Sequence, residues 1–443
     1  MGKKSVRISQ CMIVKNEEEQ IEKALSWGKG IVWEQIVVDT GSADRTAELA
    51  EAMGAKVYSF PWIDDFAAAK NFAISKAQGE WIVFLDADEV FAPGDGGKLL
   101  DLLEQLSMQG KKMDGIWTAW MQLDEAGEIF GAGSQIRVFR NLPGLKYRRR
   151  IHEQLAWEDG HPMQTYDATQ SLSVLHSGYQ GKKWEEKKQS RRNNPLILKE
   201  LEEHPGDYEM MGYLGDDYYS MGEYEEAARW YQKSINAMPE RLDSRDQRSA
   251  VTFMRLMKIL GDRQDTQTRL EEVYHKGAAL LPEEPDLDYG YGICLAQKNR
   301  FGEAKACLEQ AFRKLEQFGS YNRALELGGN LTKAYEDLAW CCLMTGETNR
   351  AVELCAAVLK ADPGAMRALV ILLKGFRGTG EQPVVSTEAV VGVLKKLLDF
   401  NGLSNRYRIW RASREAGYRE LARYMETFFS PEETAELKKA GLL

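Results

Sequence analysis

No stretch of this 443-residue chain approaches the ~20 consecutive apolar residues that a bilayer span requires, so no membrane-spanning segment is expected. A secretory leader is not expected either. Met1-Gly2-Lys3-Lys4-Ser5 is basic, but Lys15-Asn16-Glu17 interrupts before an apolar segment has formed, which makes the cytoplasm the expected compartment. Positive charge is short too: 58 Lys and Arg against 67 Asp and Glu leave a formal net charge of −9. A nucleic-acid binder needs the opposite balance to displace counterions from phosphates, so no nucleic-acid partner beyond a nucleotide is expected. Cysteine is scarce, with six residues at 11, 294, 307, 341, 342 and 355 and none in a paired metal-ligand spacing. Free, buried thiols are the expected reading. Finally, the first β-rich run ends in Val14-Lys15-Asn16-Glu17-Glu18 without the glycines of G-x-G-x-x-G, which argues against a Rossmann dehydrogenase.

The composition, 44% apolar and 28% charged, is that of a globular protein, and the length exceeds what one core of roughly 250–300 residues can serve. Over the first ~200 residues, short β-rich runs alternate with helical text, the pattern of an α/β domain on a mainly parallel sheet. Expected strands are Ile8–Val14, Gln35–Asp39, Lys56–Phe60 and Trp81–Asp86, with helices at Glu18–Ser26, Arg45–Met53 and Phe66–Gln78. A hairpin is expected from Gly115–Leu123 and Glu128–Phe139 around the turn Asp124-Glu125-Ala126-Gly127. From the charged run Lys182–Lys188 onward the text is helical. Leu214-Gly215, Tyr218, Ala227, Tyr231 and Pro239 fall at the offsets of a 34-residue tetratricopeptide unit. Weaker copies follow at Gly292, Ala304, Ala311 and at Tyr335, Leu338, Ala351, Pro363, where small residues let helices approach. The expected organisation is residues 1–200 catalytic, 201–380 repeats and 381–443 a helical cap.

Three places carry chemistry. Val37-Val38-Asp39 delivers Asp39 to the carboxyl edge of the sheet, where open α/β folds bind ligands, so it can accept from a base N–H or a ribose hydroxyl. Ser42, Asp44 and Thr46 behind it read as helix caps, with Ser42 equally a donor contact. The densest signal is Trp81-Ile82-Val83-Phe84-Leu85-Asp86-Ala87-Asp88-Glu89, an apolar strand running into two carboxylates. On an extended chain, alternation puts Asp86 and Asp88 on one side. Like charges this close need a cation, and hard oxygen ligands favour Mg²⁺ or Mn²⁺, which would neutralise a departing diphosphate. His176 follows the apolar run Leu172–Leu175 and is placed to complete the metal shell, although a lone histidine is as readily structural. The basic run Lys146-Tyr147-Arg148-Arg149-Arg150 reads as a solvated face or as a loop helping to hold phosphates.

Asn16-Glu17, Asp39-Thr40-Gly41-Ser42, Asp65-Phe66-Ala67-Ala68-Ala69-Lys70-Asn71 and Asp86-Ala87-Asp88 occur in an order and spacing that resemble family 2 glycosyltransferases over residues 8–91. The resemblance implies the nucleotide-sugar-binding GT-A fold, a UDP-sugar donor, and transfer with inversion at the anomeric carbon. It implies a nucleotide site of Val14, Asn16, Glu17, Asp39, Ser42, Asp65, Lys70, Asp86 and Ala87, with Asp39 on the uridine, Lys70 near the phosphates, and Asp86 and Asp88 flanking ribose and metal. Lys70 stands where arginine is common, and a lysine makes no bidentate phosphate contact.

Nearly the whole chain resembles sublancin-type peptide S-glycosyltransferases and flagellin-modifying enzymes, through Trp62-Ile63-Asp64-Asp65-Phe66, Arg137-Val138-Phe139-Arg140, Ile151-His152-Glu153 and His176-Ser177-Gly178-Tyr179. This implies a peptide or protein acceptor, flagellin- or bacteriocin-like, modified on Ser, Thr or Cys, and a homodimer through the helical domain.

An inverting transfer needs a base at the acceptor. Glu153 is the candidate, with His152 beside it. A salt bridge of Glu153 to Lys146 or to Arg148–Arg150 is its structural alternative. Sugar transfer to a lipid or polysaccharide precursor, and a non-catalytic repeat scaffold, are the competing readings.

Overall fold

A computed structural model describes residues 6–177, 193–242, 246–263, 266–319, 325–380 and 383–442. Gly178, Tyr179 and the charged run 182–188 lie outside the described residues. The chain forms two compact units, residues 1–241 with 247–252, and residues 242–246 with 253–443.

In the first unit the order is β1 (Ile8–Val14), α1 (Ile21–Ser26), β2 (Glu34–Asp39), α2 (Thr46–Ala52), β3 (Lys56–Ser59), α3 (Phe66–Lys76), β4 (Trp81–Phe84), β5 (Glu89–Phe91), α4 (Asp95–Met108), β6 (Gly115–Leu123), β7 (Ile129–Arg140), β8 (Leu145–Arg148), β9 (Gln154–Trp157), β10 (Thr165–Asp167) and β11 (Ser173–His176). Three helices follow, α5 (Asn193–Glu203), α6 (Tyr208–Ser220) and α7 (Tyr224–Ala237).

The large sheet runs β3-β2-β1-β4-β7-β6-β11-β5, with β10 on β6. Strands β3, β2, β1 and β4 are parallel; β7 enters antiparallel to β4 and reverses the direction. Both faces of the parallel part are covered, which is why its strands read as nearly unbroken apolar runs. Ile8, Trp81, Val83 and Leu85 pack with Leu99, Leu103 and Leu106 of α4 on one face. Cys11, Ile36, Val38, Ile82 and Phe84 pack with Ala67 and Ala73 of α3 on the other. The polar residues inside are paired: Ser9 Oγ donates to Glu34 at 2.6 Å and Gln10 Nε2 to the Ala24 carbonyl at 2.8 Å.

Two differences from the sequence reading bear on the site. The fourth strand ends at Phe84, so Asp86 and Asp88 are not on an extended segment. The Glu89 N–H closes a turn onto the Asp86 carbonyl at 3.0 Å, and the Asp86 N–H donates back to the Glu89 carboxylate at 3.0 Å. Of the basic run 146–150, residues 146–148 belong with Leu145 to a strand paired antiparallel with β9, in which Leu145 and Tyr147 are buried and Lys146 and Arg148 exposed.

α6 and α7 form the first tetratricopeptide-like hairpin. A Cβ on Gly215 would lie 2.6 Å from the Tyr231 ring, so this crossing tolerates no side chain at 215. In the second unit the helices 285–297 and 301–318, and 331–344 and 348–361, repeat the arrangement around Ala304, Leu308, Ala311, Ala351 and Cys355, all buried. Four further helices, Thr387–Leu397, Leu403–Glu415, Arg419–Glu426 and Pro431–Lys439, follow Met366–Arg377. All six cysteines are free thiols, five of them buried. Among the described residues no helix is long and apolar enough to cross a membrane.

Candidate active site

A cleft of about 1400 Å³ opens at the carboxyl ends of β1 and β4. A backbone that leaves a parallel sheet here is free of ladder partners, which is why open α/β folds bind ligands at this edge. Val14, Asn16, Glu17, Lys70, Asp86, Ala87, Asp88, His152, Glu153 and His176 all line the cleft.

Asp39, Ser42 and Asp65 are not among its lining residues, and their polar atoms hold loops. The Asp39 carboxylate accepts from the N–H groups of Gly41 (3.3 Å) and Ser42 (3.1 Å). Ser42 Oγ accepts from the Asn16 N–H at 2.9 Å, while Asn16 Oδ1 accepts from the Ala43 N–H at 2.8 Å. Thr46 Oγ1 accepts from the Glu17 N–H at 2.7 Å and Asp44 from the Glu18 N–H at 3.2 Å. The loops after β1 and β2 are thereby stitched together, with Asn16 in the left-handed conformation that asparagine tolerates (φ 57°). Asp65 is the N-cap of α3, its Oδ1 accepting from the Ala68 N–H at 2.8 Å.

The floor is a line of alternating charge. Glu153 Oε1 lies 2.5 Å from Lys70 Nζ, Lys70 Nζ lies 3.5 Å from Asp86 Oδ1, and Asp86 Oδ2 lies 3.3 Å from Arg137 Nη2. Arg137 also pairs with Glu89. Lys70 projects from α3 between the faces of Phe84 and Tyr147, 5.1 and 5.2 Å from their centroids, with only 4% of its side chain exposed. Burial opposes its charge, but the carboxylates of Asp86 and Glu153 outweigh that and hold the ammonium well above the usual lysine range. For Asp86, burial again works against ionisation, and Lys70 and Arg137 overcome it, drawing the carboxyl down to about 2. Glu89 shows the opposite balance. It is completely buried, and burial raises its carboxyl above the ordinary range despite Arg137. Glu89 also accepts from Trp120 Nε1 at 2.7 Å. It is therefore the hub that folds the acidic turn, because it ties the Asp86 N–H, Arg137 and Trp120 to one carboxylate.

Sequence reading gave Glu89 and Trp120 no role, quoted Arg137 only within the Arg137-Val138-Phe139-Arg140 motif and Tyr147 only within the basic run. The signal for Glu89 is local: a glutamate directly after Asp86-Ala87-Asp88, inside a short strand whose other inward residue is Phe91. The structural alternative for Glu153 also changes partner, since Lys146 pairs with Glu158 and it is Lys70 that holds Glu153. Arg149 and Arg150 face the acidic residues Asp207, Glu209 and Glu203 of the following helices.

His176 reaches the site because β11 pairs with β5, setting His176 opposite Glu89. The Ser177 N–H donates to the Asp88 carbonyl at 3.0 Å, and the imidazole stacks on Trp120 with centroids 4.7 Å apart. His176 Nε2 lies 3.5 Å from Asp88 Oδ2. Two adjacent ligands of one octahedral ion at about 2.1 Å stand roughly 3 Å apart, so Asp88 and His176 are the pair that would hold a divalent cation here. Asp86 does not join them, because its oxygens turn to Lys70 and Arg137. Accordingly, among the described residues no three His, Cys, Asp or Glu side chains gather into a ready-made metal site.

A mixed sheet with an acidic turn at the carboxyl end of β4, followed by helical hairpins, defines a GT-A-like domain joined to tetratricopeptide-like repeats. Residues 9–110 match the model of glycosyl transferase family 2, so the chain carries a domain of that family at its amino-terminal end. The chain is 31% identical over 241 residues to a TPR repeat-containing protein of Synechococcus elongatus, covering 53% of this chain and 58% of that one. It is 27% identical over 228 residues to the SPbeta prophage-derived glycosyltransferase SunS of Bacillus subtilis, covering 51% and 52%. The matches thus span little more than half the length of these curated relatives. Among solved structures, YrrB, a TPR protein with an unusual peptide-binding site, overlaps 52% of this chain and 97% of its own at 18% identity and a TM-score of 0.34.

Proposed function

We propose that this chain is an inverting, metal-dependent glycosyltransferase that moves a hexose from a UDP-sugar to a Ser, Thr or Cys side chain of a peptide or protein. The observation that carries the reading is the convergence, in one cleft at the sheet edge, of the Asp86–Asp88 turn, His176 and the Lys70–Glu153 pair. The SunS relative, named a glycosyltransferase, supports it. The cleft exceeds the ~300–1,000 Å³ usual for one small ligand, which leaves room for donor and acceptor together.

In this reading Asp86, its charge balanced by Lys70 and Arg137, hydrogen-bonds the nucleotide. The loops stitched by Asn16, Asp39 and Ser42 shape the uridine end. Asp88 and His176 would hold Mn²⁺ or Mg²⁺, which supplies positive charge to the departing diphosphate. Glu153 takes the acceptor O–H or S–H proton as the acceptor atom bonds to the anomeric carbon. The bond from that carbon to the diphosphate oxygen breaks, and its electron pair leaves with UDP. Lys70 Nζ, 2.5 Å from Glu153 Oε1, holds that carboxylate in place on the cleft floor.

The test is incubation of wild type and Asp88→Ala with UDP-sugars, Mn²⁺ and candidate flagellin or bacteriocin peptides, followed by mass spectrometry. A hexose adduct formed by wild type and lost in Asp88→Ala supports the reading, and its residue distinguishes O- from S-transfer. Full activity in Asp88→Ala removes the metal assignment. UDP-sugar turnover without any peptide adduct favours a carbohydrate or lipid acceptor.

A further inference from the structure

The segment joining β8 to β9 carries an unusual backbone. Arg149 has φ 74° and His152 φ 51°. The other non-glycine residues with positive φ among the described residues are Asn16, Asp64 and Asn299, types that visit this region readily. A left-handed arginine is strained and persists where its surroundings impose it.

Here the surroundings are α5 and α6. Arg149 Nε lies 3.0 Å from Asp207, the N-cap of α6, and its guanidinium also pairs with Glu209. The Arg150 N–H donates to Glu200 of α5 at 2.9 Å, and its carbonyl accepts from the Phe66 N–H at 2.8 Å. Ile151 is buried among Leu196, Ile197, Leu201, Met210 and Leu214. The His152 ring then lies flat on Tyr213 of α6, centroids 3.6 Å apart and planes 5° apart. The Arg248 guanidinium stands 4.7 Å from the Tyr213 ring and is held by Asp216, one turn further along α6. The next residue after His152 is Glu153, paired with Lys70 on the cleft floor.

We infer that Tyr213 is a positioning residue of the transferase site: its stack on His152 holds the 149–153 turn in the conformation that presents Glu153 to Lys70 and to the acceptor. It follows that α6, which the sequence presents as half of a tetratricopeptide unit, is part of the catalytic apparatus. Burial draws His152 down to about 4, so the stack is made by a neutral ring at pH 7. The inference rests on the transferase reading above.

A double-mutant cycle tests it, with kcat for transfer and calorimetric UDP affinity measured for wild type, Tyr213→Phe, Tyr213→Leu, Glu153→Gln and the Tyr213→Leu/Glu153→Gln pair. Tyr213→Phe keeps the stack and is expected within about 2-fold of wild type. Tyr213→Leu is expected to lose roughly 10–100-fold in kcat, the scale of an ångström-size misplacement, with UDP affinity within about 2-fold. In the Glu153→Gln background the leucine should cost nothing further, because Tyr213 acts through Glu153. Wild-type kcat in Tyr213→Leu, equal losses in the Phe and Leu variants, multiplied losses in the double variant, or loss of UDP binding each overturns the positioning role. A wild-type chain that binds UDP yet transfers nothing overturns the transferase reading, and this inference with it.

Discussion

Replacing Arg137 by methionine exposes how much the acidic turn depends on one buried cation. Arg137 is 9% exposed and serves two carboxylates, Asp86, which is 40% exposed, and Glu89, which is fully buried. Asp86 keeps Lys70 and solvent, so its loss is small. Among the described residues Glu89 keeps the Trp120 and Asp86 N–H donors. Breaking a buried ion pair from one side costs about 3–5 kcal/mol, and complete burial of Glu89 puts this case in that range. For a unit of this size each kcal/mol lowers Tm by roughly 2–4 °C, so a drop of about 6–20 °C is expected. Tryptophan fluorescence is the assay, because among the described residues all tryptophans except Trp340 and Trp410 belong to the first unit. Adding Glu89→Leu removes the stranded carboxylate and should recover part of the loss even though a second polar group has gone. A shift under 2 °C in Arg137→Met, or a double variant less stable than the single one, would refute the reasoning.

Four other expectations follow from the structure. Glu153→Gln should lower kcat by about 10²–10⁴-fold and leave donor KM nearly unchanged, measured by steady-state transfer kinetics, since a general base acts on the acceptor proton alone. Asp286 is buried in the second unit, where it accepts from the Glu326 and Leu327 N–H groups. Burial pushes its carboxyl up to about 7, so the folded state binds the extra proton between the unfolded value of about 4 and 7. Stability from this group is therefore present at low pH and lost as pH rises through that window, and Asp286→Asn should flatten the dependence in denaturant titrations from pH 5 to 8. Gly215→Ala should destabilise by about 1–3 kcal/mol through the clash with Tyr231. Gly97→Ala, on α4 with nothing near its Cβ, should stabilise by about 0.5–1 kcal/mol. Equal effects at the two positions would contradict the close-packed hairpin.

Local rules made much of the architecture legible. Strands β1 and β6 fall where their apolar patterns place them, α3 starts at Phe66 behind the Asp65 cap, and the spacing of Gly215, Ala227 and Tyr231 announces a tight helical hairpin. These features depend on residues a few positions apart, so the periods 2 and 3.6 suffice to read them. Strand β8 was hidden because lysine and arginine occupy its outward positions and mask the alternation of Leu145 and Tyr147.

The residue types of the candidate site were also readable, since a carboxylate pair after an apolar strand needs a countercharge wherever it folds. Which countercharge each carboxylate receives was a matter of tertiary structure. Lys70 and Glu153 are far apart in the chain, as are Arg137 and Glu89, and Coulomb energy depends on distance in space, which no local pattern encodes. The same holds for Tyr213 beneath His152, where two ordinary-looking segments meet only because α6 packs on the 149–153 turn.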